Sequence, residues 1–302
     1  MTKQDLRIVY MGTPDFAVES LRALVEGGYQ VVAVITMPDK PAGRGHKMQF
    51  SPVKEYALSV GLPVLQPERL KDEQFVEELR SYQADLQIVV AFRMLPEVVW
   101  SMPRLGTFNL HASLLPQYRG AAPINWAVIN GDTETGATTF FLKHEIDTGD
   151  MILQERLPIG ENENVGSVHD RLMTMGAQLV LKTVDLILSG DVHPTPQPIL
   201  PPEEMRPAPK IFKETCEIDF SKTVREVHNF VRGLSPYPTA WCELQLGDKK
   251  EIVKVYQTAP ADKQEKGHLY KECSDGLIEL VEIQLPGKRR MPAKDVLNGL
   301  HL

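Results

Sequence analysis

Asn109 and His111 stand two residues apart at the end of an apolar run, in the segment N-L-H-A-S-L-L-P-Q-Y-R-G-A-A-P-I-N-W from Asn109 to Trp126. On an extended strand, residues i and i+2 project to one face, so an amide and an imidazole would point together. Ser113 to Gly120 then reads as a loop punctuated by Pro116 and Gly120. A third polar group comes from H-E-I-D-T-G-D, where Asp147 to Asp150 has turn composition. With Asp147, the trio supplies a proton acceptor, an amide donor for a developing oxyanion and an imidazole. Those are the parts needed for acyl transfer to an amine. No nucleophile accompanies them: Ser113 lies two beyond His111, but no G-x-S-x-G elbow surrounds it. Direct attack by the acceptor amine, without an acyl-enzyme, fits this set. The plain alternative makes the histidine a satisfied polar side chain and the acids turn formers.

Two further stretches bear on binding. Gly12-Thr13-Pro14-Asp15-Phe16 follows an apolar strand and precedes a helix, the place of a dinucleotide fingerprint. G-x-G-x-x-G is absent and Pro14 removes an amide that would cradle phosphate, so ordinary NAD binding is not expected. Gly12 reads equally well as a tight turn and Asp15 as a helix cap. Asp39 to Ser51 is polar and basic, carrying Lys40, Arg44 and Lys47 among glycines. It is either a solvated loop or a segment that orders on an anionic partner. The C-terminal third, with Lys249, Lys250, Lys254, Lys263, Lys266, Lys271, Lys288, Arg289, Arg290 and Lys294, and with Arg206, Lys210 and Lys213 before them, reads as more basic than the rest. Such a surface can hold nucleic-acid phosphates without reading sequence. A solvated face is the equal alternative.

These residues need a frame. Leu6 to Tyr10, Val31 to Ile35, Val64 to Leu65, Leu86 to Ala91 and Gly106 to His111 read as strands, and Phe16 to Glu26, Val53 to Val60 and Glu73 to Arg80 as helices between them. Such alternation predicts a mostly parallel sheet with covering helices, with Asn109 and His111 at its carboxyl edge. Ile124 to Asn130 reads as a helix, Thr138 to Leu142 and Met151 to Leu157 as strands, and Val165 to Ser189 as a long amphipathic helix closing a domain over 1–189. Residues 190–209 hold seven prolines and predict an extended, semi-stiff linker. In 210–302, a helix over Phe220 to Leu234, capped by Ser221 or Thr223, precedes strands at Trp241 to Leu246, Ile252 to Gln257, Leu277 to Ile283 and Lys288 to Met291. That pattern predicts a small β-barrel.

Composition narrows the classes. A net charge of −7 over 302 residues argues against a generic nucleic-acid coat. Cys216, Cys242 and Cys273 show neither metal spacing nor a disulfide framework, which suits a reduced cytoplasm, and no metal is expected. No signal-peptide core follows Met1 to Gln4, and no apolar run approaches the roughly 20 residues of a bilayer span, so no membrane is expected.

The chain resembles the methionyl-tRNA formyltransferase family over nearly its whole length. The resemblance is carried by M-G-T-P-D-F-A at Met11 to Ala17, P-A-G-R-G-x-K at Pro41 to Lys47, S-P-V-K at Ser51 to Lys54, the Asn109 to Trp126 block, I-D-T-G-D, R-G-L-S-P-Y-P at Arg232 to Pro238 and L-N-G at Leu297 to Gly299. It implies an α/β Rossmann-like formyltransferase domain followed by an OB-like β-barrel. It implies transfer of a formyl group from 10-formyltetrahydrofolate to the α-amine of initiator methionyl-tRNA, by a cytoplasmic monomer without a metal. Carried over, Asn109, His111 and Asp147 are catalytic, while Phe92, Met94, Leu95, Ser113, Leu114, Leu115, Pro116 and Asp150 line the folate site. Phe16, Arg44, Lys47, Arg206 and Lys210 face the tRNA. One segment departs from the pattern: A-F-R-M-L-P, Ala91 to Pro96, stands where relatives usually carry A-Y-G-x-I-L-P, one residue shorter and with Arg93 for glycine. Alternatives are formylation of a small amine such as glycinamide ribonucleotide or an amino sugar nucleotide, a deformylating hydrolase, and a binding protein without activity.

Overall fold

The computed structural model describes residues 1–42 and 47–300. Arg44, expected at the acceptor, lies outside the described residues. In chain order the elements are β1 (Arg7–Gly12), α1 (Asp15–Glu26), β2 (Gln30–Ile35), β3 (Lys40–Ala42), β4 (Lys47–Gln49), α2 (Pro52–Ser59), β5 (Val64–Leu65), α3 (Glu73–Ser81), β6 (Leu86–Val90), α4 (Glu97–Trp100), β7 (Thr107–His111), α5 (Pro123–Ile129), β8 (Glu134–Phe141), β9 (Met151–Pro158), α6 (Val165–Ser189), α7 (Val224–Leu234), β10 (Ala240–Leu246), β11 (Lys249–Ala261), β12 (Tyr270–Cys273), β13 (Gly276–Gln284), β14 (Met291–Pro292) and α8 (Ala293–Gly299). They form two compact units, neither contiguous in sequence: residues 1–119, 136–156 and 170–205, and residues 120–135, 157–169 and 206–302.

The first unit holds a sheet in the order β5-β2-β1-β6-β7-β8-β9. The five strands from β5 to β7 pair in parallel, and β8 joins β7 antiparallel. Every residue of β6 is buried, as are Ile8 to Met11 of β1, because helices cover both faces of a parallel sheet. One face packs Val9, Met11, Ile35 and Val89 against Phe75, Val76 and Leu79 of α3. The chain steps outward from β1 through β2 to β5, then returns to β6 on the other side of β1. This reversal opens a crevice at the carboxyl ends of β1 and β6. Gly12 closes its floor: a Cβ there would lie 2.6 Å from the Ala17 Cβ and 2.8 Å from the Val90 carbonyl oxygen. A side chain is therefore excluded where the turn crosses β6.

Several local expectations need correction. Pro14, not Asp15, occupies the N-cap of α1, and Asp15 is its first helical residue. The expected basic loop is framed by a hairpin of β3 and β4, too short and too exposed to show a period. Its base is tied by Lys54, whose Nζ donates to Asp39 at 2.7 Å and to Gln66 at 2.8 Å. The hydrogen bond from Lys54, with a second donated to Asp39 Oδ1 by Gln66 Nε2 at 2.7 Å, holds the Asp39 carboxyl below its usual range. The α6 helix is long and apolar enough to cross a bilayer by length and composition, contrary to the expectation that no run approaches that length. It buries Val168, Leu172, Val180, Val184 and Ile187, the stripe of a core helix. The proline-rich stretch is not a free spacer. Thr195 and Met151 exchange backbone hydrogen bonds at 2.8 and 2.9 Å, while Ala208 is fully buried and accepts from Ala122 N at 3.1 Å.

The second unit curls an antiparallel sheet, β10-β11-β13-β12 with β14 on β13, into a half-barrel. No ladder joins β10 to β12 among the described residues. Alternating burial along β10 sends Cys242, Leu244 and Leu246 inward to meet Val227, Val231 and Leu234 of α7. Thr223, one of two expected caps, forms a capping box with Glu226 and starts α7 at Val224, four residues past the predicted Phe220. The strand predicted over Lys288 to Met291 begins only at Met291, and β12 and α8 were not expected.

Candidate active site

The last strand of the parallel run places Asn109 and His111. In β7 Asn109 stands opposite Val89 of β6 and Phe140 of β8, and His111 opposite Thr138. The period of two sends both to one face. Asn109 is half-buried, and its side-chain amide makes no hydrogen bond among the described residues. His111 is buried, with Nε2 2.8 Å from the Tyr118 carbonyl oxygen. A carbonyl only accepts, so Nε2 carries the hydrogen. The other nitrogen, Nδ1, faces Asp147 Oδ2 at 3.9 Å. Of the expected trio, His111 and Asp147 thus meet at Nδ1, and Asn109 shares the strand face of His111.

Strained backbone builds both walls. Tyr118 (φ 59°) and Asp147 (φ 56°) both occupy the left-handed region, which is sparsely populated by side-chain-bearing residues. The first turns its carbonyl onto the imidazole and the second sits in the turn of I-D-T-G-D. Gly149 has a steric reason to be glycine: a Cβ would fall 1.6 Å from the Phe141 carbonyl oxygen.

The expected folate residues divide by exposure. Met94 is 73 % exposed, and Phe92 and Leu114 are half-buried. Leu95 is only 8 % exposed and packs in the sheet-face core with Val99, so it supports the wall from behind. Ser113 is fully buried and donates to the Gln117 carbonyl at 2.7 Å, which removes it as a nucleophile and ties the loop after β7. Leu115 and Pro116 are buried in the same loop. Asp150 accepts from Lys143 Nζ at 2.7 Å. The departure at Arg93 has a structural account. Its guanidinium donates to the Glu68 carbonyl at 2.8 Å and to the Pro67 carbonyl, and lies over the Phe92 ring. The arginine therefore fastens the loop at 67–68 to the end of β6. Ala91 makes the exit from β6 at φ 47°.

Four polar side chains that tie the loops beside His111 and Asp147 escaped the sequence reading: Thr138, Gln154, Arg119 and Gln197. Thr138 Oγ1 donates to the Ser113 carbonyl at 2.7 Å and receives Leu115 N at 3.3 Å and Gln154 Nε2 at 2.9 Å. A lone threonine in an apolar strand carries no sequence signal for this. The thiols offer no alternative nucleophile. Burial raises all three, Cys242 to about 11, so none is a thiolate near neutral pH. Among the described residues no group of three His, Cys, Asp or Glu could hold a metal ion.

Of the residues expected at the tRNA, Lys47, Lys210 and Arg206 are exposed, Arg206 while paired with Asp132. Phe16 is a correction: only 7 % exposed, it lies on the buried face of α1 and offers no open ring to a partner. The basic character of the C-terminal third also needs qualifying. Residues 210–302 hold fifteen Lys and Arg but fourteen Asp and Glu. Lys250 and Arg290 are paired with Glu243 and Glu282, whereas Lys288 and Arg289 have no acidic partner among the described residues.

A profile described as formyl transferase matches residues 6–184, and one described as formyl transferase, C-terminal domain, matches residues 210–301. The fold is accordingly that of a formyl-transferring enzyme. A methionyl-tRNA formyltransferase of Bacteroides fragilis is 62 % identical over 315 residues, spanning 100 % of this chain and 97 % of its own. One of Parabacteroides distasonis is 64 % identical over 314 residues, spanning 99 % and 97 %. The N-formyltransferase of Helicobacter canadensis, solved with folinic acid and dTDP-3-aminofucose, superposes with a TM-score of 0.66 at 19 % identity, over 91 % of this chain and 98 % of that one. The chain belongs to the methionyl-tRNA formyltransferase family.

Proposed function

We propose that this protein transfers the formyl group of 10-formyltetrahydrofolate to the α-amine of initiator methionyl-tRNA, as a monomer in the cytoplasm. The observation that carries the mechanism is the geometry at His111: Nε2 held by the Tyr118 carbonyl, Nδ1 toward Asp147, and Ser113, the serine two residues on, buried and engaged with the Gln117 carbonyl. The neutral amine attacks the formyl carbon, forming a C–N bond. Asn109 donates to the oxyanion of the tetrahedral adduct, a role worth roughly 2.7–4 kcal/mol for one well-placed donor. The adduct collapses by breaking the bond to N10 of the folate. The amine sheds one proton and N10 gains one. His111 Nδ1 and Asp147 relay it, so no net proton is left on the protein.

In this reading residues 1–189 carry the transfer, with Phe92, Met94, Leu114 and Asp150 beside the folate and Leu95, Ser113, Leu115 and Pro116 shaping the wall. Lys47, Arg206 and Lys210, with Arg44, meet tRNA phosphates, and residues 210–302 supply further cations. Folate and tRNA are substrates here, and no step calls for a metal.

The test supplies 10-formyltetrahydrofolate with methionyl-tRNA, with glycinamide ribonucleotide or an amino sugar nucleotide, or with water alone, and follows the formyl group. Transfer to methionyl-tRNA is expected, with Asp147→Asn lowering turnover sharply while tRNA affinity stays nearly intact. Preferential formylation of a small amine, or release of formate without transfer, would overturn the reading. Near-normal turnover in Asp147→Asn would remove Asp147 from the mechanism.

A further inference from the structure

Gln197 lies in the proline-rich stretch after α6, far in sequence from any catalytic candidate, yet only 8 % of it is exposed. Its Nε2 donates to the Asp147 carbonyl at 2.7 Å and to the Gly149 carbonyl at 3.0 Å. Its Oε1 receives two hydrogen bonds from Arg119, from Nε at 3.2 Å and from an Nη at 2.7 Å. The amide is fully used: two hydrogens, two carbonyls, and an oxygen met by both arms of a guanidinium. A buried glutamine placed only to fill space would not need so complete a set, and one lost partner here leaves a buried polar group unpaired.

The partners are what make the arrangement informative. Arg119 follows Tyr118, whose carbonyl holds His111 Nε2. Asp147, at the far end, faces His111 Nδ1. The contacts therefore close a ring: His111, Tyr118 and Arg119 along the chain, Gln197 across, the Asp147 turn, and back to His111. Both sides of the imidazole are fixed through one amide. The Asp147 turn needs such a clamp because its backbone sits at φ 56°, a conformation that a single exposed turn does not hold by itself. The exchange of hydrogen bonds between Thr195 and Met151, two residues before Gln197 and one after Asp150, docks the clamp beside the turn.

We infer that Gln197 is a positioning residue for Asp147, with Arg119 fixing the amide's orientation: it sets the carboxylate's place at His111 Nδ1 and touches no substrate itself. The inference rests on the catalytic reading of Asp147 given above.

Gln197→Ala and Gln197→Glu test it in the full-length enzyme. Glutamate keeps an acceptor for Arg119 but loses both donors to the turn, so it preserves the dock while releasing the clamp. With 10-formyltetrahydrofolate and methionyl-tRNA, both variants should lose 10- to 100-fold in kcat, with KM for either substrate changed less than threefold; displacement of a reacting group by about 1 Å costs about that much. A group acting through Asp147 has little left to lose once Asp147 is disabled. In an Asp147→Asn background, Gln197→Glu should therefore cost less than threefold further. A merely structural glutamine would give the same fold-loss in both backgrounds, and that result overturns the inference. So would kcat within threefold of the parent in Gln197→Glu. If Asp147→Asn alone turns over normally, the catalytic reading fails instead, and the two failures are told apart by that one control.

Discussion

Gly149→Ala offers the sharpest geometric test of the site. The new Cβ would sit 1.6 Å from the Phe141 carbonyl oxygen, whereas real Cβ contacts stay beyond 3.0 Å, so something must move by about 1.4 Å. Phe141 ends β8, where it pairs with Phe108 of β7, and a strand locked in a sheet yields less than a turn. The Asp147–Asp150 turn therefore moves, and Asp147 lies two residues away. A displacement of about 1 Å in a catalytic group costs about 100-fold in rate, or about 2.7 kcal/mol in the barrier. Overpacking should also lower folding stability by about 1–3 kcal/mol. The assay is steady-state formyl transfer at saturating substrates, beside thermal unfolding. Gly28→Ala is the control for a glycine replaced away from the site. It places a side chain at positive φ (78°) with nothing within 4 Å of its Cβ, so it should lose stability through backbone strain without losing kcat. A Gly149→Ala enzyme with kcat within threefold of the parent would refute the reasoning.

Three further outcomes are expected. Thr138→Val keeps volume but takes the Thr138 hydroxyl from the Ser113 carbonyl and Leu115 N and removes one of the acceptors of Gln154 Nε2, and should cost about 2–4 kcal/mol in denaturant unfolding. His228 is buried between Thr258 and Asn162, and burial with Arg232 and Arg225 nearby lowers its pKa in the folded state. The unfolded chain therefore binds a proton that the folded one refuses. Stability is fully present above the unfolded pKa of about 6.5 and falls by up to about 1.4 kcal/mol per pH unit below it, until the folded pKa is reached. Urea titrations of the parent and His228→Gln between pH 5 and 8 should show the difference in slope, and equal slopes would discount His228. Lys47→Ala and Lys210→Ala should each reduce the slope of log Kd for tRNA against log salt by about one, and an unchanged slope would release that residue from phosphate contact.

Much of the frame was legible because it rests on local rules. Apolar runs separated by helical periods read as parallel strands, and Val165–Ser189 matched its helix end to end. Short elements escaped. The β3–β4 hairpin has three residues a side, and α4 is a single turn behind Pro96. Neither is long enough for a period to emerge. Among the site residues, Asn109 and His111 were readable together because a strand's alternation puts i and i+2 on one face. Phe16 misled because its motif says nothing about which side of α1 is covered. Gln197 was invisible in a stretch whose composition suggested a spacer.

The sequence by itself determined the alternating order of strands and helices, the polar pair at the end of β7 and the absence of a nucleophile elbow. Each follows from spacing of two, spacing near 3.6, or residue chemistry. Only the tertiary structure decided which imidazole nitrogen remains for chemistry, because that depends on a carbonyl seven residues away turned inward at Tyr118. It alone brought Asp147 to Nδ1, and Gln197 to the turn that carries Asp147. Two of these contacts end on backbone carbonyls, of Tyr118 and Asp147, which every residue offers, and long-range packing chooses among them.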